Sequence, residues 1–471
     1  MDSASNSLTE EVEKGCLSPG RPIAVVCFLP DFGHVLPLLR LAQIVARHRG
    51  ARGTCFLVPR FEQMAAEHGF GFHPLVSLDG AVDDRVFAEL SRKSTFYNAF
   101  SDYTDVSDRY FGPLSERVSG ELEPLAARLR ADRPAVLVAD DHFFSTYYRM
   151  LAAACGARLV LNRASGSLYQ YHRPFVRTYG LSNWCTLAQH TVEIAGELHV
   201  KLVRGWRSWR HPDRVRAAEA ARLALGCAAQ RVFGGAAPLG PEPLCVISGT
   251  CVLEDRVASS GIVEGLVHEV VLPPSVQPRT TRLPADIDAW LAGQSRPVVY
   301  VSFGTMIWPE ATMLRNLARG LRDADVVVLW AQPHAQRACL AEENLPPERF
   351  YFEDFAPQMA LLASGRIACF VTHAGAGSVQ ESLCAGVPML CVPFIWDQPY
   401  NASVIVRLGV AARLPRRRLK QREVRAAVTE LLYNPVYAER ARALAAELQT
   451  LRDEVAQSPA WIDQVFQPSP N

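Results

Sequence analysis

Two short stretches of this sequence place chemically able side chains at the ends of apolar runs. The first is Pro30-Asp-Phe-Gly-His34, directly after Ile23-Ala-Val-Val-Cys-Phe-Leu29. An imidazole with an unperturbed pKa of about 6.5 suits proton transfer near neutral pH. Read alone, His34 is either an ordinary turn residue or such a base. A pair of acids, Asp140 and Asp141, follows another apolar run, Ala135 to Ala139. Either acid could orient a histidine, or cap the next turn. The second stretch is Phe370-Val-Thr-His-Ala-Gly-Ala-Gly-Ser-Val-Gln-Glu-Ser-Leu-Cys-Ala-Gly386. It reads as a strand, a glycine-containing turn and a helix opening at about Ser378. Gly375 and Gly377 let a backbone come close to a ligand. The exposed amides and positive end of the helix then form an anion site, with His373 beside it as a donor to phosphate. A purely local reading competes: Ser378 and Glu381 match the S-x-x-E capping box, and Gly386 is a helix stop. The turn is not G-x-G-x-x-G, and no Walker A sequence occurs.

The elements around these stretches must position them. Ile23 to Leu29 is continuously apolar, as in a strand buried on both faces. Leu36, Leu39, Leu41 and Ile44 follow at helical spacing, with Gly50 near the helix end. Thr54 to Val58 reads as a strand, Leu122, Leu125 and Leu129 as a helix, and Ala135 to Ala139 as a strand. Alternation of this kind implies a doubly wound parallel sheet. The prolines at 273, 274, 278 and 284 mark a linker over residues 271–284. The pattern then restarts, with strands at Pro297 to Phe303, Val326 to Trp330, Ile367 to Thr372 and Met389 to Pro393, and a helix at Ala311 to Leu321. The expected organisation is a disordered lead-in over 1–20, an N-terminal lobe over 21–270, the linker, a C-terminal lobe over 285–455, and a tail over 456–471 that packs back on the N-terminal lobe. The fold class is α/β, two doubly wound Rossmann-like lobes with a cleft between them, a favoured place for ligands.

Bulk properties exclude several classes. A net charge of +1 over 471 residues calls for neither nucleic acid nor an anionic membrane. Twelve cysteines without a C-x-x-C pair argue against a zinc knuckle or dithiol motif, and Cys27, Cys369 and Cys391 read as buried thiols. Residues 1–20 lack the apolar segment of a signal peptide, and no run approaches the ~18 apolar residues of a membrane span. The expected location is the cytoplasm. Two groups of aromatics suggest an apolar acceptor pocket in the N-terminal lobe. One group is Phe87, Phe96, Tyr97, Phe100, Tyr103, Tyr110 and Phe111; the other is Phe143, Phe144, Tyr147, Tyr148, Tyr169 and Tyr171. Core packing is the alternative for each of them. Asp323-Ala-Asp325 precedes a strand and reads as a turn, and Arg416, Arg417, Arg418 and Lys420 as a solvated loop.

The longer context of the glycine turn is more specific. Phe355-Ala-Pro-Gln-Met-Ala-Leu-Leu362 precedes it, and Gly386-Val-Pro-Met-Leu-Cys-Val-Pro-Phe-Ile-Trp-Asp-Gln-Pro-Tyr-Asn-Ala402 follows. In order and spacing this run resembles the donor-binding signature of the UDP-glycosyltransferases, enzymes of the two-lobed GT-B fold. Val298 to Gly304 with Thr305 resembles that family's first C-lobe strand and turn, and Phe32-Gly-His-Val-Leu-Pro37 its catalytic loop. The resemblance spans most of 22–455 and is weak over 80–290.

The resemblance implies roles. Phe355 would stack on the base, with Gln358 beside it. His373 and the turn at Gly377 and Ser378 would hold the diphosphate, with Thr305 and Gly375 also among the donor-binding residues. Glu381 would accept from ribose hydroxyls, and Asp397 and Gln398 would bind the sugar; a glutamine there goes with glucose donors in plant members. His34 would be the general base and Asp140, preferred over Asp141, the carboxylate that fixes its tautomer. Plant members usually carry Trp at 355, Trp at 376 and Asn at 377. The small residues here resemble bacterial antibiotic and sterol glycosyltransferases, which leaves uracil and thymine both open. The implied activity is transfer of a hexose, glucose first, from a UDP-sugar to a hydroxyl of a small apolar acceptor, with inversion. It needs no metal and no cofactor beyond the nucleotide sugar as co-substrate. The alternatives are a non-catalytic relative that binds a nucleotide sugar or stabilises a partner, and an epimerase or hydrolase on the same fold. No sequence feature specifies an oligomer.

Overall fold

The computed structural model describes residues 21–80, 107–141, 144–163, 212–233, 244–248, 269–272, 282–395, 397–457 and 462. Elements of the N-terminal lobe run β1 (Ile23–Val26), α1 (Phe32–Arg49), β2 (Gly53–Leu57), α2 (Glu62–Glu67), β3 (Gly71–Pro74), α3 (Gly112–Asp132), β4 (Val136–Asp140), α4 (Ser145–Cys155), β5 (Arg158–Arg163), α5 (Pro212–Phe233), β6 (Leu244–Ser248) and β7 (Glu269–Leu272). The strands form one parallel sheet in the order β3-β2-β1-β4-β5-β6-β7. β1 and β4 are buried along their whole length, because helices cover both faces; this is why they read as unbroken apolar runs.

The C-terminal lobe repeats the plan with α6 (Ala285–Ala292), β8 (Val298–Ser302), α7 (Ala311–Asp323), β9 (Val327–Ala331), α8 (His334–Arg337), β10 (Phe350–Glu353), α9 (Gln358–Ala363), β11 (Ile367–Thr372), α10 (Ala376–Ala385), β12 (Met389–Cys391), α11 (Gln398–Arg407), β13 (Ala411–Arg413), α12 (Gln421–Tyr433) and α13 (Pro435–Gln457). Its parallel sheet has the order β10-β9-β8-β11-β12-β13.

In both sheets the winding reverses direction once: between β1 and β4, and between β8 and β11. At such a reversal the loops leaving the carboxyl ends of the two central strands diverge and open a crevice. His34 and Asp140 stand at the first reversal, and Gly304, Thr305 and His373 at the second.

Several expectations need correction. β7 pairs with β6 through Leu272, so the sheet takes in the first two residues expected in the linker. Asp140 is the last residue of β4 rather than the residue after it. Among the aromatics proposed for an acceptor pocket, Tyr110, Phe144 and Tyr148 are buried in the N-lobe core. Tyr148 stacks on Phe28 with ring centroids 4.9 Å apart, and Phe144 meets the same ring edge-on at 5.6 Å. Phe87, Phe96, Tyr97, Phe100, Tyr103, Phe143, Tyr169 and Tyr171, like the lead-in, lie outside the described residues. At the other end of the chain, Ile462 is fully buried in the N-lobe core, and Val455 of α13 packs against that core. The final helix therefore leaves the C-terminal lobe and ends on the N-terminal one. Cys27, Cys369 and Cys391 are buried free thiols. Among the described residues no helix is long and apolar enough to cross a membrane.

Candidate active site

The N-lobe half of the site begins with a helix cap. Asp31 is the N-cap of α1, in extended backbone, and accepts from the His34 amide at 3.2 Å. Capping draws the chain into helix from Phe32, so His34 lies on the first helical turn rather than in a loop before it. Its Nδ1 is 2.9 Å from Asp140 Oδ1, and Asp140 is wholly buried. An ionised carboxylate only accepts, so Nδ1 carries the proton and Nε2 keeps its lone pair. Asp31 Oδ2 lies 3.9 Å from Nε2. The neighbour Asp141 is directed elsewhere, into a buried ion pair with Arg163 at 2.6 Å. Behind Asp140, burial holds the Tyr148 phenol and the Cys27 thiol well above their usual pKa values, and the Asp140 charge adds to both shifts. Both stay neutral behind the His34–Asp140 pair. The Tyr148 hydroxyl accepts from the Phe28 amide at 2.9 Å and ties α4 to the end of β1.

The C-lobe half is built on β8, β11 and α10. The helix opens at Ala376 after the N-cap Gly375, two residues before the expected Ser378, and no side chain caps it. Ser378 is thus the third residue inside the helix, and the capping-box reading of Ser378 and Glu381 falls. The first amides are left for another acceptor, as at an anion-binding helix end. His373 lies between two glycines. A Cβ on Gly375 would come within 2.4 Å of its Nε2, and one on Gly304 within 3.0 Å of its Cε1. Gly304 also has a φ of +71°, which a side chain would strain. His373 Nδ1 is buried with no hydrogen-bond partner, an arrangement uncommon outside functional sites. Burial pushes the ring's pKa down to about 4, against an opposing pull from Asp397. The next residue, Ala374, is buried with a φ of +63°, which a non-glycine adopts only when its surroundings force it. The force is visible: Asn401 donates to the Ala374 carbonyl at 3.0 Å and to Asp397 Oδ2 at 2.8 Å.

The remaining expected donor residues divide into engaged and open ones. Gln398 is buried, and its amide oxygen accepts from the Phe394 and Ile395 amides at 2.9 and 3.1 Å, shaping the loop that carries Asp397. Gln358 donates to Ser378 Oγ at 3.1 Å and to Glu381 Oε2 at 2.9 Å, so it braces α10. Glu381 also receives Arg40 of α1 at 3.1 Å, an ion pair from the other lobe. Phe355 presents an apolar ring to solvent at 69% exposure, and Thr305 and Gly377 are exposed as well. Trp396 lies outside the described residues. Sequence reasoning missed Asp31, Arg40 and Asn401. Asp31 was readable as an acid immediately before a helix. Arg40 acts through Glu381, 341 residues away, and Asn401 through the Ala374 carbonyl, 27 residues away, as well as through Asp397, so neither showed its role locally. Asp323 is the last residue of α7 and Asp325 lies in the turn before β9, where it pairs with Arg296 at 2.8 Å.

Residues 278–450 match the family model described as UDP-glucoronosyl and UDP-glucosyl transferase. The match covers most of the C-terminal lobe. An anthocyanidin 3-O-glucosyltransferase of Zea mays is 38% identical over 187 residues, 36% of this chain and 38% of that protein. A flavanone 7-O-glucoside 2''-O-beta-L-rhamnosyltransferase of Citrus maxima is 32% identical over 181 residues, 36% of this chain and 39% of that protein. The chain thus spans well under half the length of these curated relatives. Likeness of fold extends further. Os79 from O. sativa, solved in complex with UDP, superposes with a TM-score of 0.64 at 20% identity, over 94% of this chain and all of that one. The glycotransferase of kitacinnamycin superposes at 0.60 with 22% identity, over 96% of this chain and all of that one. The two-lobed fold is that of known glycosyltransferases.

Proposed function

We propose that the protein transfers a hexose, glucose by first choice, from a UDP-sugar to a hydroxyl of a small, largely apolar acceptor. The observation that carries this reading is the His34–Asp140 pair at 2.9 Å, at the N-lobe winding reversal, while the family-matched donor elements flank the C-lobe reversal. His34 Nε2 takes the acceptor proton as the acceptor oxygen bonds to the anomeric carbon. The bond from that carbon to the diphosphate oxygen breaks with inversion, and UDP leaves with the electron pair. The amides at the start of α10, with His373 beside them, stabilise the departing charge, so no protein acid is required. Phe355 offers its open ring to the base and Glu381 its carboxylate to the ribose. Thr305 contributes at the diphosphate, and Asp397 and Gln398 at the sugar. Two curated relatives are named for anthocyanidin and flavanone glucoside substrates, which supports ring-containing phenols as the first acceptors to try.

Isothermal titration with UDP, TDP and UDP-glucose, followed by an acceptor screen with UDP-glucose, tests the proposal. Micromolar binding of UDP together with transfer to a phenolic hydroxyl is the expected result. Binding of TDP in preference to UDP would reassign the donor. Absence of all nucleotide binding would replace the proposal with the non-catalytic reading.

A further inference from the structure

The Arg40–Glu381 ion pair joins two helices that begin at the two halves of the site. α1 starts at the carboxyl end of β1 and carries His34 on its first turn; Arg40 lies six residues further along, about 9 Å at 1.5 Å per residue. α10 starts at the carboxyl end of β11 with its uncapped amides, and Glu381 lies on its second turn. Arg40 and Glu381 are 341 residues apart in sequence, and their side chains are only 15% and 9% exposed. Glu381 meets one donor on each oxygen: Arg40 from the N-terminal lobe on Oε1 and Gln358 from its own lobe on Oε2. A carboxylate has about four acceptor directions, so this fixes its plane and still leaves acceptor capacity.

We propose that Arg40 is a positioning residue for glycosyl transfer, setting the helix that carries His34 in register with the helix that carries the donor's ribose and diphosphate contacts. This rests on the donor-site reading above. Arg40 touches neither reacting atom; it acts through Glu381. The chemistry depends on such register, since attack requires the acceptor oxygen within about 3–3.5 Å of the anomeric carbon, and a misplacement of about 1 Å can cost ~100-fold in rate. Nucleotide binding draws mainly on the C-terminal lobe and should survive loss of the contact.

The test uses the full chain with Arg40→Met, which keeps the packed stem and removes the charge, and Arg40→Lys, which keeps a charge on a stem of similar length. Three quantities are compared with wild type: UDP affinity by titration, kcat from UDP-glucose to a flavonol probe, and the radius of gyration by small-angle scattering. Expected for Arg40→Met are a kcat lowered about ten-fold or more, a UDP affinity within about three-fold of wild type, and a larger radius of gyration. Arg40→Lys should recover most of the kcat and the compact radius. Wild-type kcat and radius in Arg40→Met would overturn the proposal. So would a fall in UDP affinity that accounts for the whole loss of rate, because Arg40 would then serve only nucleotide binding. If the probe is not a substrate, an unchanged radius in Arg40→Met overturns the proposal and an enlarged, lysine-rescued one supports it. A wild-type protein that binds no UDP overturns the donor-site reading itself, whatever Arg40 does to the radius.

Discussion

At the scale of single residues, two histidines are put to opposite uses by their surroundings. His34 is held through Nδ1 by a buried carboxylate, with a second carboxylate near Nε2. His34→Ala should lower kcat by about 10²–10⁴ while leaving UDP affinity within a factor of about two, because the nucleotide elements lie on the other lobe. Titration and steady-state rates on one preparation decide this; a parallel loss of UDP binding would remove His34 from the role of base. His373 is instead kept neutral by burial, its pKa pushed down to about 4. In the unfolded chain it returns to about 6.5, so between those values the unfolded state binds the extra proton. Stability is therefore full above pH ~6.5 and falls as pH drops towards 4, by at most about 3 kcal/mol from this group. Urea unfolding at pH 7 and pH 5 should show a smaller decline in His373→Gln than in wild type. Equal declines would mean that burial does not depress this imidazole. Of the two adjacent acids, Asp140 is the one that meets His34. Adjacent strand residues point to opposite faces, so one of them had to face α1. Which one depends on the pairing of Ile23 with Val136, a register that composition does not reveal.

At the scale of elements, strands and helices were largely legible, because buried parallel strands are continuous apolar runs with turns between them. Ile367–Thr372 was located to the residue. The start of α10 was not. Ser378 looks like an N-cap because serine three residues before glutamate usually is one. The helix instead begins at Ala376, after the N-cap Gly375, which has no side chain to cap it. In the proposed donor site the acceptor for these amides is the ligand rather than a capping side chain, which is why the local rule gives no signal of the helix start. Gly375 is accordingly sensitive for a reason unrelated to its φ, which is an ordinary −63°. In Gly375→Ala the new methyl would meet His373 Nε2, and neither the ring nor the turn can stay in place. UDP affinity should fall about ten-fold or more, since the turn's amides and the imidazole are displaced together. The thermal transition should move much less than that. Unchanged affinity would show that the diphosphate does not use this turn.

At the scale of the whole molecule, the lobes share one winding plan and are joined by more than the linker. The two-lobed architecture was readable from the restart of the strand–helix rhythm after the proline-rich stretch. The interlobe contacts were not, because pairs such as Arg40 and Glu381 are set by the docking of two finished sheets. The same is true of Ile462, a buried N-lobe core residue delivered by the segment after α13. Ile462→Ala should cost about 2–5 kcal/mol, the usual range for emptying a buried site of this size, with UDP affinity retained. Denaturant unfolding checks it; a cost below about 0.5 kcal/mol would mean that the contact is dispensable. The position of Ile462 also bears on how the chain is made. Synthesis proceeds from the N-terminus and domains generally fold as units while it does. Here the lobe translated first has a core that lacks one of its side chains until the whole second lobe has left the ribosome. Order of manufacture and order of completion therefore run in opposite directions, and a nascent chain stalled anywhere in the C-terminal lobe exposes an unfilled seam in the N-terminal one.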